Sequence, residues 1–222
     1  MNKKAFATLA LIGALASAHA DTTLISQGFD NVSTLTSSGW IIQNLGTAGG
    51  VGGLSSPWVQ GGSDTAITAQ AGPSDSYITS NFNNVVAGGT LASWLISPVF
   101  STTNTVTISF WATADYYAGY SDMLKAGLVD ASGNTTNFSP SFSFTASTNG
   151  WNQYTMTING TGTSSTARFA IEYFGAADSS NLVAVDSVNI TTVSAVPEVS
   201  SWQLMGLGML AMGTIARRRK QA

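Results

Sequence analysis

Three short runs decide what this chain can fold into. In TVTISFW, Val106, Ile108 and Phe110 share one side, and Thr107 and Ser109 the other. YTMTI repeats the pattern with Tyr154, Met156 and Ile158. RFAIEY does so with Phe169, Ile171 and Tyr173, which leaves Arg168 and Glu172 facing solvent. Successive side chains of an extended strand point to opposite faces. Alternation of period two in β-branched and aromatic residues therefore predicts half-buried strands of antiparallel sheets. Between the runs lie Gly, Ser, Thr and Asn, and DASGN (130–134) and TNGW (148–151) read as turns. Many short strands joined by polar turns predict one all-β domain, a sandwich of two sheets. The glycine-rich stretch 46–62 is expected to be a long surface loop, because glycine weakens a strand interior.

The ends are built differently. Residues 1–20 open with Lys3 and Lys4, continue through the apolar run Ala5–Ala16 and close with Ala18, His19 and Ala20. A basic start, a short apolar core and an Ala-x-Ala site predict a secretory signal peptide, cleaved before Asp21. Of the eight Lys and Arg, six are terminal. The body keeps only Lys125 and Arg168 against ten acidic residues, a net charge near −8 where the whole chain carries −3. Such a surface gives nucleic acid nothing to bind. His19 is the one histidine and there is no cysteine, so the mature body lacks imidazole and thiol. Ser-His-Asp and Cys-His catalysis are excluded, as are zinc sites built from nitrogen and sulfur.

The C-terminal segment 193–222 starts with a linker, the domain boundary falling near Thr192, and turns apolar. Residues 199–216 are eighteen without a charge. As a helix they span ~27 Å, just adequate for a hydrocarbon core of ~30 Å. Arg217, Arg218, Arg219 and Lys220 would hold the far end on the cytoplasmic side. The segment reads as a transmembrane helix, either a temporary hold or a permanent anchor.

Two resemblances follow. QGFDN with SGW, ASWLISPVF (92–100), VTISFWATAD, GWNQYTMTI, RFAIEYFG and NLVAVDSVNI occur in one order across Leu24–Thr192. In that order they resemble the choice-of-anchor J domain, a relative of the cleaved-adhesin and MAM-like jelly rolls. The resemblance implies a jelly-roll-like antiparallel β-sandwich on a secreted bacterial protein, in adhesion or carbohydrate-linked settings. The tail resembles a PEP-CTERM sorting signal. Val196, Pro197, Glu198 and Val199 stand for its Pro-Glu-Pro-like motif, with Val199 in place of the second proline, and the apolar helix and basic cluster follow. This implies cleavage by an exosortase and a transient stay in the inner membrane. The final location would be the cell surface or an exopolysaccharide-rich matrix.

Candidate sites are few. Unbroken alternation in NLVAVDSVNI puts Leu182, Ala184, Asp186, Val188 and Ile190 on one face. If that face is inward, an ionised Asp186 needs a counter-charge. Ca²⁺, which takes only oxygen ligands, is the natural candidate. In the related sandwich families an early acidic residue is paired with an aspartate of the last strand, so the resemblance implies a Ca²⁺ shared by Asp30 and Asp186. The alternatives are that Val183 and Val185 face inward with Asp186 solvated, or that Arg168 pairs with it.

ADYYAGYSD (114–122) groups Tyr116, Tyr117 and Tyr120 with Asp115 and Asp122. Exposed rings there would stack on sugars while the carboxylates accept from hydroxyls. Alternatively the rings cover the sandwich edge and the aspartates face water. Trp58, in the glycine-rich stretch, is the tryptophan best placed for exposure, unless it tucks beneath the loop. Trp40, Trp94, Trp111 and Trp151 are expected in the core or at its rim. Paired carboxylates can hydrolyse glycosides, but no pair stands out. The expectation is a non-enzymatic exported surface or matrix protein associated with polysaccharide. A carbohydrate-binding module around the tyrosines is the alternative, and a polysaccharide-active enzyme the third.

Overall fold

All three alternating runs are strands. The computed structural model describes residues 20–47, 56–62 and 66–194. In chain order its first strands are β1 (Ala20–Gln27), β2 (Ile41–Asn44), β3 (Val59–Gln60), β4 (Ile78–Asn81), β5 (Thr90–Ile96) and β6 (Phe100–Ser101). The second half adds β7 (Val106–Ala114), β8 (Met123–Asp130), β9 (Ser139–Thr145), β10 (Asn152–Ile158), β11 (Thr166–Ala176) and β12 (Leu182–Ser194). One sheet runs β10-β7-β12-β4-β3, with β1 also on β12. The other runs β2-β5-β11-β8-β9, with β6 beside β11. The registered pairs are antiparallel, and most sheet neighbours are not chain neighbours, as in a jelly roll. Asp21–Val193 is a compact unit by itself.

The two inner faces make the core, as sandwich packing requires. Val106, Ile108 and Phe110 of β7 meet Phe169, Ile171 and Tyr173 of β11 there. Phe110 is the hub, its ring 5.4 Å from Phe169, 5.5 Å from Tyr154, 6.2 Å from Phe144 and 6.5 Å from Phe142. The turns also fall where glycine and polar residues foretell them. Gly133 N–H bonds Asp130 O at 3.0 Å, and Gly150 takes φ +106, a region that few residues other than glycine enter without steric cost.

Two expectations about β11 fail for one reason. Its outer face is covered by a second cluster of Trp94, Ile96, Val129 and Ala170, joined by Ile41 and Phe138. Glu172 is therefore buried rather than solvent-facing, and accepts from Lys125 Nζ at 2.8 Å. Arg168 is half-buried and donates to three carbonyls, those of Ala131, Gly39 and Ser97, at 2.8–2.9 Å. Alternation tells which residues share a face; it does not tell whether the second face is wet.

The stretch 46–62 is also more than a surface loop, since Val59 and Gln60 pair with Thr79 and Ile78 of β4. Among the described residues no helix is long and apolar enough to cross a membrane. The expected signal peptide, up to residue 19, lies outside the described residues. So do the tail residues Val196, Pro197, Glu198, Val199, Arg217, Arg218, Arg219 and Lys220.

Candidate functional site

The tyrosine loop joins β7 to β8 and is fixed at its base. Asp122 is buried, and its Oδ1 accepts from the Tyr173 hydroxyl at 2.6 Å and from Asn181 N–H at 2.7 Å. Burial pushes the Asp122 carboxyl above the usual carboxylate range, against the pull of those two donors and the Leu182 amide. Burial, with the Asp122 charge added, pushes the Tyr173 hydroxyl up as well. Asp115 N–H bonds Leu182 O at 3.1 Å, and Ser121 N–H bonds Ser179 O at 2.9 Å. Asp122 is thus a bolt for the loop and not a sugar acceptor, contrary to the sequence expectation. It stands at the foot of β8, where the chain has already turned inward.

The tip is free of this constraint. Tyr116 is 70% exposed, Tyr117 61% and Tyr120 39%. Tyr117 and Tyr120 meet edge to face, centroids 4.9 Å apart, over a turn closed by Tyr120 N–H to Tyr117 O at 3.1 Å. Gly119 supplies its left-handed φ of +85. The rings are exposed and held relative to one another.

A cleft lies on each side of this tip. The first, about 320 Å³, is lined by Ile67, Thr68, Thr113, Asp115, Tyr116 and Trp151. Its far wall is the 66–77 loop, fixed by Trp151 Nε1–H to Thr68 O at 2.8 Å and by the Tyr77 hydroxyl to Ile67 O at 3.0 Å. The second cleft, about 240 Å³, is lined by Phe82, Asn83, Val85, Tyr120 and Asp178. Asp178 Oδ1 accepts from Gly88 N–H at 2.7 Å. Sequence reasoning found neither Phe82 nor Asp178, for they lie ninety-six positions apart and meet only through β12. A single ring in the polar stretch NFNN is the one local sign in the sequence that Phe82 stands at the surface, where it is 37% exposed.

Trp58 belongs to none of this. It is fully buried in the main core, its indole N–H without a partner. Pairing of β3 with β4 pulls the preceding residue inward, which overturns its place among the glycan-contacting residues. Trp40 joins the same core and Trp94 the outer cluster, while Trp111 and Trp151 are half-buried.

The last strand changes phase. Between Asp186 and Asn189 its register to β7 shifts, with Ser187 at φ +51. A bulge adds one residue and exchanges the faces. Val183 and Val185 point into the core before it, Val188 and Ile190 after it. Asp186 is therefore outside the core, yet fully buried, beneath the 66–77 loop. Its Oδ2 accepts from Gln70 N–H at 2.9 Å and Ala71 N–H at 3.1 Å, and its Oδ1 from Ser187 N–H. Burial raises its carboxyl above the usual range, and the three amides pull back. Asp30 touches the same loop from the other end, accepting from the Ser76 hydroxyl. No Arg168 pairing forms, because that guanidinium is held by its three carbonyls.

The two carboxylates thus bracket one loop, but with hydrogen donors turned toward them. Ca²⁺ takes six to eight oxygen ligands, and among the described residues no three acidic, His or Cys side chains gather to hold a metal. As arranged, the residues around Asp186 do not fit Ca²⁺ unless the Gln70 and Ala71 amides are released.

No model of a known protein family matches this sequence, and no curated protein matches it. Solved structures do. The K3 cleaved adhesin domain of Lys-gingipain from Porphyromonas gingivalis superimposes with a TM-score of 0.55 and 19% identity, over 78% of this chain and 99% of that one. The K1 domain gives 0.54 and 19%, over 76% and 97%. The K2 domain gives 0.53 and 16%, over 78% and 100%. The body has the cleaved-adhesin fold. At these identities the likeness is one of architecture, and the adhesin fold here carries its tyrosine loop between two clefts.

Proposed function

We propose that this is a non-enzymatic, exported bacterial surface or matrix protein. Its PEP-CTERM-type tail directs it through an exosortase, and its adhesin-fold body contacts extracellular polysaccharide with the tyrosine loop. The carrying observation is the exposure of Tyr116 and Tyr117 on a loop whose base is bolted by Asp122. Large rings held out in water on a fixed base lose little entropy when they bind, and their faces match the C–H faces of sugar rings. Chains of weak contacts along a polymer then add up through multivalency. The clefts beside Tyr116 and Tyr120 favour a second, sharper form of the same reading, a carbohydrate-binding module with a defined site.

The test is a glycan array probed with the body and with Tyr116→Ala/Tyr117→Ala. Binding is expected to fall roughly tenfold or more, equivalent to ~1.4 kcal/mol or above. The melting temperature should stay unchanged, since substitutions at exposed sites move stability by only about 0.5 kcal/mol. Array binding that is identical in the double variant would remove the loop from the function.

A further inference from the structure

The charge inventory around the tyrosine loop restricts the kind of sugar it takes. We infer that the glycan carries no anionic groups: it presents hydroxyls or amines to Asp115 and Asp178, and uronate or sulfate polymers are rejected. This rests on the tyrosine loop being the glycan face.

A polymer rich in carboxylate or sulfate is bound by lysine and arginine, because only they supply both the charge and the donors. Between Asp21 and Val193 the sequence holds just Lys125 and Arg168. Both are committed elsewhere. Arg168 is held by Nε and Nη1 to the Ala131, Gly39 and Ser97 carbonyls. Lys125 is paired with Glu172 at 2.8 Å and lies 3.9 Å from the centroid of the Phe174 ring. Neither lines a cleft beside the loop. The other six basic residues belong to the two terminal segments.

The clefts carry the opposite sign. One sets Asp115 beside Tyr116 and Trp151, the other Asp178 beside Tyr120 and Phe82. Each therefore combines an aromatic face with a hydrogen-bond acceptor of negative charge. That pairing suits a hydroxyl, and suits an ammonium group better, since cation and ring attract as well. Asp115 accepts no side-chain bond among the described residues and is free to take a donor from a ligand. The net charge near −8 extends the bias beyond the clefts, repelling a polyanion over about a Debye length, ~8–10 Å at physiological salt.

The experiment uses the body Asp21–Val193, whose core is complete within itself. A panel of neutral, partly N-deacetylated amino-sugar and polyuronate polysaccharides is run in affinity gels with EDTA, at low and at physiological salt. Neutral polymers should retain the body equally at both salts. Amino polymers should retain it more strongly at low salt, by roughly tenfold, and lose the excess as salt screens it. Polyuronates should not retain it at either. Asp115→Asn/Asp178→Asn should abolish the salt-dependent amine advantage and weaken neutral retention far less, since the amide oxygen still accepts from a hydroxyl but carries no charge for an ammonium. A polyuronate that binds and is released by Tyr117→Ala overturns the charge inference while upholding the tyrosine loop. If no class is retained, the tyrosine reading falls and this inference with it.

Discussion

Phe110→Ala should lower the stability of the body by about 3–5 kcal/mol, the range for emptying an aromatic site in a packed core. Phe110 is fully buried, and four rings stand within 6.5 Å of its centroid, from β9, β10 and β11. Those rings come from both sheets, so the cavity cannot be closed by moving one of them. With no disulfide to limit the unfolded chain, packing must carry the fold, and the loss appears in full. For a body of this size each kcal/mol is worth ~2–4 °C in Tm. Thr107→Ala, three positions earlier and on the opposite face of β7, is the control and should stay within about 0.5 kcal/mol. Urea titration of both variants measures the difference. Equal midpoints would mean that the inner and outer faces of β7 are wrongly assigned.

Asp186→Ala should cost about 2–4 kcal/mol, because it leaves the Gln70, Ala71 and Ser187 amides without their acceptor. Asp186→Asn keeps one accepting oxygen and should cost less. The effect reaches the candidate site, for the same loop carries Ile67 and Thr68 into the cleft beside Tyr116. Glycan retention should therefore weaken in Asp186→Ala, although Asp186 itself lines neither tyrosine cleft.

The pH dependence has a definite sign. Burial sets the folded carboxyl above its ordinary value near 3.8, so the folded chain holds a proton that the unfolded chain has released. Stability must then rise as the pH falls through the folded value toward the ordinary one, and the penalty is fully present above the folded value. Asp122 contributes in the same direction. Asp186→Asn should flatten part of this slope. The same melts decide the cation. With the amides holding Asp186, EDTA and millimolar Ca²⁺ should give the same Tm. A rise with Ca²⁺, lost in Asp186→Asn, would establish the shared Asp30–Asp186 ion, since a ligand of the native state must stabilise it.

Much of the architecture was legible because period-two alternation is a local property. TVTISFW, YTMTI and RFAIEY each declare a strand and its inner face without knowledge of any partner. What escaped depends on partners. Trp58 is buried because Val59 and Gln60 find β4 some eighteen residues later, and a glycine-rich neighbourhood gives no hint of that. Glu172 is covered because Trp94 and Phe138 close over the outer face of β11. Asp186 stands out in the sequence as a carboxylate in apolar company, but the extra residue at Ser187 puts Val188 and Ile190 on the face opposite to it, which unbroken alternation does not foretell. The tyrosine loop is legible in composition alone, since ADYYAGYSD crowds three rings and two carboxylates around a glycine. Its two aspartates were not told apart, since only the fold shows that Asp115 lines a cleft while Asp122 is bolted to Tyr173.

The measurement that bears most directly on the function is the intact mass and location of the mature protein in its native host. The expected product starts at Asp21, ends within 196–199, and lies outside the inner membrane. A product that keeps Arg217, Arg218, Arg219 and Lys220 and stays in the membrane would contradict the sorting role, and would make the adhesin-fold body a permanently tethered domain.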